Sequence, residues 1–546
     1  MSRLPPRALD VIALAPAIAL VSALTWAWSK RWSYPYDLEW MEGGMLAHAW
    51  RLARGMPMYP DAGPAWIPYV YPPGYAAVLA GFGAIFGVDY DLGRAISIGG
   101  TLLAAAAAVR LVHVAGGGLA LGLGCAAVFL GCYEASGAFY DLVRPDALAM
   151  GLLAWAITLG LERHRRAPEI AGIVLMLAFV VKHHSAAYGV PIALGIWARD
   201  GWRPAARFGA WSAIPAGLFT IGMQVATHGH FLRWLLVVPA SHPLQGQRLF
   251  PGAPIEAARW LLGACVAAGI FLWIRAGRTG QILGSVAGVA LAGGIWLLPV
   301  PIGILSADWP ASMAVAAAIG AGGGALVGRA IEDGRAIPWG WVYGGGVGVV
   351  AWLTTGLMRA HNGGFLNVLM PLHWVVAVAL GVVIARSRRR WPGPLTEIGG
   401  AALVAGQLLW MAATANVGRL VPDPGDVDAG NRVVAQIRET CGEGPVLSPF
   451  APWLPVRLGL EPSWHLISLW DIVHKDGPYF DELPRLSSAV RKHRWTCVID
   501  GGNGQIGLGI DQHYRVGVRV RPARALQPKT GWRVRPTTIL VPRETP

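Results

Sequence analysis

Apolar residues in this chain run in blocks broken by short polar stretches, without the strict alternation of half-buried strands. A block of roughly 18–20 apolar residues is long enough to cross a bilayer as a helix. Such blocks fall at about 9–28, 74–88, 93–112, 117–133, 146–161, 169–182, 185–198, 208–226, 256–274, 281–298, 311–328, 339–357, 364–385 and 397–415. The pattern predicts a mainly α, polytopic transmembrane bundle. Arg3 and Arg7 precede the first block, and Val21-Ser-Ala23 is a weak cleavage match. Trp26 and Trp28 at its far end read instead as the interfacial anchor of an uncleaved helix.

The polar breaks orient the chain. Basic clusters at Glu162-Arg-His-Arg-Arg166, Arg199–Arg207, Arg275–Arg278, Arg329–Arg335 and Arg386–Arg390 fall on one side if the helices alternate, and that side is expected to be cytoplasmic. The opposite loops, near 227–255, 299–310 and 358–363, are poorer in Lys and Arg. The basic N-terminus is then cytoplasmic and residues 29–73 form a large first external loop, although Lys30, Arg31, Arg51 and Arg54 run against the rule there. Residues 139–146 must also be external, so one of the blocks 74–88, 93–112 and 117–133 does not span. Pro72-Pro73 points to 74–88. About thirteen spans result, in an inner or plasma membrane, with the C-terminus external.

From about 416 the composition turns polar. Residues 1–415 read as the membrane module and 416–546 as a small external α/β domain, with Pro422-Asp-Pro-Gly-Asp426 as a turn-rich linker. Strands are expected at 444–448 and 495–500, and helices at 433–439 and 480–492. Cys441 and Cys497 both lie in this part; the compartment permits a disulfide, but spacing does not establish one.

Composition narrows the class. Hydrophobic residues make up 54% and charged residues 14% of the 546, which excludes a disordered chain and an ordinary soluble domain. The 26 tryptophans suit many membrane–water interfaces, and five cysteines exclude a disulfide scaffold. The net charge of +14 sits in the topological clusters, so it does not indicate nucleic acid as a partner.

The richest chemistry lies in the first external loop. Asp37, Glu39 and Glu42 follow the first membrane helix, and residues 41–54 suit an amphipathic helix with Met45, Ala49 and Leu52 on one side, His48 and Arg51 on another, and Gly55 as its stop. Clustered carboxylates there can take a proton or hold a cation; they can equally solvate a loop or cap a helix. Trp66-Ile-Pro-Tyr-Val-Tyr-Pro-Pro-Gly-Tyr75 supplies aromatics for an interfacial belt or a groove. Asp141, Arg144 and Asp146 in Phe139-Tyr-Asp-Leu-Val-Arg-Pro-Asp146 form either a structural ion network or part of an acidic site. Lys182 beside His183 and His184 suits an anionic phosphate, and the adjacent histidines lack the spacing of a helical zinc pair. Arg359, His361 and Asn367 are donors for phosphate or sugar hydroxyls, and Ser241-His-Pro243, Gln245, Gln247 and Arg248 form a loop long enough to be a lid. No phosphate-binding loop, dinucleotide fingerprint or nucleophile elbow stands in a suitable context, which argues against an ATP-driven pump and a serine hydrolase.

The stretch Asp37-Leu-Glu-Trp-Met-Glu-Gly43, followed by Gly55, Tyr59 and Tyr71-Pro-Pro73, resembles the first external loop of GT-C-type membrane glycosyltransferases. These include protein O-mannosyltransferases and the transferases that add aminoarabinose to lipid A. Tyr140-Asp-Leu-Val-Arg-Pro-Asp146 resembles that superfamily's second acidic segment. The resemblance implies a polyprenyl-phosphate sugar donor, transfer on the external face to an unknown lipid, glycan or protein acceptor, and a first-loop carboxylate as general base. Spacing to the glycine leaves Glu42 and Glu39 open, with Asp37 beside them. Arg144, Asp146, Lys182, His183, His184, Arg359, His361 and Asn367 would bind donor phosphate and sugar, and Tyr59, Tyr71 and Tyr140 would line the pocket. A divalent cation, Mg or Mn, is left open. Competing readings are a lipid-linked-sugar carrier or flippase, which would bury charge deep within spans where only Arg110 stands out, and a membrane scaffold.

Overall fold

The computed structural model describes residues 6–246, 248, 256, 260–274, 277–297, 317, 321, 322, 324, 339–361, 363–475, 477–502 and 504–544. The loop 299–310, the basic cluster at 329–335, Gln247, Arg275 and nearly all of the block 311–328 lie outside the described residues.

Helices α1 (Pro6–Ile12) and α2 (Ala15–Arg31) make the first apolar segment, and α3 (Glu42–Ala53) lies in the loop that follows. Then come α4 (Gly74–Phe86), α5 (Tyr90–Val114), α6 (Leu119–Gly131), α7 (Pro145–Leu161), α8 (Ala167–Val181), α9 (Gly189–Asp200) and α10 (Trp202–Ala226). Beyond the second polar loop lie α11 (Leu262–Ile274), α12 (Arg278–Leu297), α13 (Trp339–Ala360), α14 (Met370–Arg390) and α15 (Pro394–Thr414). The starts follow local chemistry. Asp89 caps α5 by accepting from the Tyr90 N–H at 2.8 Å, and Pro145, Pro168 and Pro371 sit in first turns, where no N–H is needed.

The described residues do not establish thirteen spans. Among the described residues four helical segments are long and apolar enough to cross a membrane: Leu9–Arg31, Tyr90–Val114, Leu366–Arg390 and Pro394–Thr414. Both α4 and α6 have 13 residues, about 20 Å of helix against a hydrocarbon core of about 30 Å, so of the three blocks in the parity problem only α5 has full length.

Among the described residues, the basic clusters at 162–166, 199–207 and 386–390 gather at one end of the bundle. Arg199 caps the Leu161 carbonyl at 2.7 Å, Arg207 pairs with Glu169 at 2.6 Å, and Arg388 pairs with Asp10 at 2.7 Å. Arg110 belongs to this end too: it is exposed and paired with Glu162 at 2.6 Å, rather than buried in mid-span.

Past Thr414 the chain forms α16 (Pro424–Cys441), α17 (Leu466–Ile472), α18 (Leu483–Arg491) and a four-stranded sheet. Its order is β1 (Val446–Leu447), β2 (Cys497–Asp500), β4 (Thr538–Pro542), β3 (Tyr514–Arg519); β1 and β2 run parallel and the other pairs antiparallel. Cys441 and Cys497 are joined by a disulfide that ties α16 to β2. The expected linker 422–426 is instead a helix start: Asp423 and Asp426 form a reciprocal capping box and Pro424 takes the first turn.

This C-terminal part sits on the first loop. Lys529 and Thr530 donate backbone N–H groups to the Leu38 carbonyl at 2.8 and 3.1 Å, Arg457 reaches the Pro35 carbonyl at 2.8 Å, and the Tyr36 hydroxyl meets Asn431 at 2.7 Å. That cover changes the expected character of α3. Met45, Leu46, Ala47, His48 and Ala49 are all buried, so the helix is enclosed on several sides rather than lying half-wet at an interface. Gly55, at φ 66°, closes it.

Candidate active site at the loop-bearing end of the bundle

The three first-loop carboxylates have different surroundings. Glu42 is fully buried and saturated. One oxygen accepts from the Val143 N–H at 2.8 Å and Arg94 Nε at 3.1 Å; the other accepts from the Leu38 N–H at 2.6 Å and Arg94 Nη2 at 2.9 Å. Arg94, near the start of α5, also donates to the carbonyls of Arg31, Trp32, Tyr34 and Tyr36. The pair therefore ties the loop to α5 and to the segment before α7.

Asp37 accepts from the Gly43 N–H at 2.7 Å and the Tyr90 hydroxyl at 2.9 Å. Burial, reinforced by nearby Glu42, raises its pKa well above the usual carboxylate range.

Glu39 is the exception. It is 2% exposed, yet its contacts are long: the Met41 N–H at 3.3 Å and Arg144 Nη1 at 3.5 Å. Burial pushes its pKa up to about 7, only partly opposed by Arg144.

Arg144, just before α7, faces Glu39 on one side and Asp146 on the other, with Nε 3.7 Å from Asp146 Oδ2. Its Nη2 donates to the Tyr71 hydroxyl at 2.9 Å. Its Nε and Nη1 and the facing Oδ2 of Asp146 are buried without a hydrogen-bond partner. Orphaned polar atoms of this kind each cost about 1–3 kcal/mol, and in a native protein they ask for a ligand or water. The other Asp146 oxygen accepts from Lys182 at 2.5 Å and Asn367 at 2.6 Å. Four separate chain segments thus bring Glu39, Arg144, Asp146, Lys182 and Asn367 into one buried, charged cluster.

His183 and His184 border it, each with an unpartnered buried Nδ1. Burial, and then the Lys182 charge, lowers both pKa values, that of His183 to about 4, so these rings are neutral rather than cationic at pH 7.

Other expected members lie elsewhere. Tyr140 is in the hydrophobic core, with its hydroxyl on the Phe129 carbonyl at 2.8 Å, because the 139–146 segment turns it inward against Phe129 and Tyr133. Tyr59 braces the loop by donating to the Tyr71 carbonyl at 2.6 Å. Asp141 is taken by Arg31 at 2.6 Å, with Tyr133 also donating to it. Arg359 pairs with Glu256 at 2.7 Å, and His361 meets His242 at 2.9 Å, so both belong to a neighbouring cluster of the expected lid loop. His242 reaches in turn toward Asp471, whose pKa burial raises to about 7.

Some site residues carried no sequence signal of their role. Arg94 stood at the edge of an apolar block. His48 accepts the Tyr69 N–H through Nε2 at 2.8 Å, so its Nδ1 carries the proton and donates to the Gly44 carbonyl at 2.6 Å. His465 binds the Trp40 carbonyl at 2.9 Å, 425 positions away in sequence.

As to a metal, no group of three His, Cys, Asp or Glu side chains among the described residues is arranged to hold one. Asp146, the best-placed carboxylate, is already matched by Lys182.

No protein-family model matches the chain, and no curated protein matches it. Among solved structures it is similar to the crystal structure of ArnT from Cupriavidus metallidurans in the apo state, at 14% identity over 96% of this chain and 97% of that chain, with a TM-score of 0.47. The crystal structure of the same ArnT bound to undecaprenyl phosphate matches at 14% identity over the same shares, with a TM-score of 0.46.

Proposed function

We propose that the chain is an integral membrane glycosyltransferase that moves a sugar from a polyprenyl-phosphate donor to an acceptor hydroxyl on the external face. The observation that carries this reading is the pairing of Glu39, the first-loop carboxylate with the weakest hydrogen bonds, with Arg144, whose guanidinium keeps two buried nitrogens unpartnered.

In the reaction, the acceptor oxygen bonds to the anomeric carbon as that carbon's bond to the phosphate oxygen breaks. The electron pair leaves with the polyprenyl phosphate, and Glu39 takes the proton from the attacking hydroxyl. A single displacement inverts the anomeric centre. Arg144 and Lys182 face the charge that grows on the leaving phosphate, in a water-poor site where fixed cations act strongly. Asp146, itself held by Asn367, keeps Lys182 in place, and Glu42 and Asp37 fix the loop that carries Glu39. On this reading the basic end of the bundle is cytoplasmic, and the end bearing the site and the C-terminal part is external.

The test uses purified, detergent-solubilised protein, radiolabelled polyprenyl-phosphate sugars and native lipid extract, with Glu39→Gln beside wild type. Label released by wild type alone supports the transferase. Saturable lipid binding by both proteins without release favours a carrier instead.

A further inference from the structure

We propose that Trp40, Trp470 and Trp532 form a saccharide-binding rim that receives a glycan acceptor beside Glu39. The inference rests on the transferase reading and adds the class of acceptor. The three indoles come from three distant segments, yet their ring centroids lie 4.9–6.0 Å apart: Trp470 to Trp532 at 4.9 Å, Trp40 to Trp532 at 5.2 Å and Trp40 to Trp470 at 6.0 Å. They are tilted against one another by 45–82°, which makes a faceted corner rather than a flat slot. Trp40 is buried and Trp532 is 46% exposed, so the cluster runs from the interior to water.

The cluster adjoins the reacting carboxylate through the backbone. Trp40 follows Glu39 in sequence, and residues 529 and 530 bond the Leu38 carbonyl. Glu39 and Thr530 form a parallel bridge, and Gly531 is so close that a Cβ there would lie 2.9 Å from the Glu39 side chain. The next residue is Trp532. His465 extends the surface inward: its ring lies 4.5 Å from Trp40 and 5.5 Å from Tyr69, whose hydroxyl bonds the Met41 carbonyl.

This chemistry suits a pyranose. Its C–H face, slightly positive, stacks on the negative face of an indole, while its hydroxyls stay in water. An acyl chain would ask for an enclosed aliphatic groove, whereas Trp532 stands exposed beside exposed Arg533. A sugar held at this corner directs one of its hydroxyls toward Glu39.

The experiment uses full-length protein in lipid nanodiscs on an array of hexose, pentose, N-acetylhexosamine and uronic-acid oligosaccharides, with no lipid-linked donor present. Wild type and Glu39→Gln should be retained on the same glycans. Trp532→Ala should bind them roughly tenfold or more weakly, and Trp532→Phe, which keeps an aromatic face, should lie between. Retention of wild type on no glycan overturns the proposal, as does equal retention of Trp532→Ala. A variant defect seen only on empty phospholipid vesicles also overturns it, since the ring would then be a membrane anchor. Because no donor is present, the two readings fail separately. Undiminished transfer by Glu39→Gln removes the base assignment and leaves glycan binding standing. Absent glycan binding with normal donor turnover removes only the rim.

Discussion

Replacing Glu39 and Glu42 one at a time by Gln should separate a reacting carboxylate from a structural one. The Glu42 carboxylate neutralises a guanidinium that is itself 0% exposed and accepts from two backbone N–H groups at 2.6 and 2.8 Å. Breaking a buried pair from one side costs about 3–5 kcal/mol, because the remaining charge stays buried. Gln at 39 removes a charge that burial disfavours. The shift from the ordinary 4.5 to about 7 corresponds to about 3 kcal/mol at most. The sign follows from proton counts. Between pH 4.5 and about 7 the folded chain holds a proton on Glu39 that the unfolded chain has lost, so wild type loses stability as pH rises through that window. Glu39→Gln should therefore melt at or above wild type at pH 8 while transfer falls by roughly 10²–10⁴. Glu42→Gln should melt well below wild type. Thermal unfolding followed by tryptophan fluorescence in detergent, with donor turnover measured on the same samples, reads both. A Glu42→Gln protein as stable as wild type, together with a Glu39→Gln protein that unfolds early, would refute the division of roles.

Four further outcomes follow from the same geometry. Wild-type transfer should rise with pH around 7 and level off above it, as Glu39 ionises; a profile flat from pH 5 to 9 would count against this base. Arg144→Gln should lower donor turnover by roughly 10²–10³, whereas Arg359→Gln, which loses contacts to Glu256 and the Gly364 carbonyl outside the charged cluster, should cost far less; the ratio of kcat/KM values checks this. Gly44→Ala would drive a methyl into the Tyr69 ring and hydroxyl, so donor turnover should fall, whereas Gly55→Ala, whose added methyl meets nothing within 4 Å, should cost only its backbone strain; parallel turnover assays compare the two. Cys441→Ser should destabilise the C-terminal part by about 4 kcal/mol, since the disulfide closes a loop of 56 residues; limited proteolysis with and without reductant reads it.

The blocks of apolar residues determined a great deal by themselves. Most helices start and stop within a few residues of the expected limits, because length, capping residues and charged ends are local properties. The gathering of Arg199, Arg207 and Arg388 at one end was legible for the same reason: basic side chains between apolar blocks must emerge together. The sequence also pointed to the segments that hold Glu39, Arg144, Asp146, Lys182 and Asn367. It did not rank Glu39 against Glu42. That difference arises from Arg94 and the Val143 N–H, which approach Glu42 from 52 and 101 positions away. Local pattern placed the amphipathic helix α3 but not its burial on several sides, since part of its cover comes from residues beyond 416. It read Tyr140 as a pocket residue, although the turn before α7 points that ring into the core. Which carboxylate keeps weak hydrogen bonds and which tryptophans meet were decided only by tertiary packing. Burial sets the proton affinity of a carboxylate, and burial is a property of what distant segments bring to it.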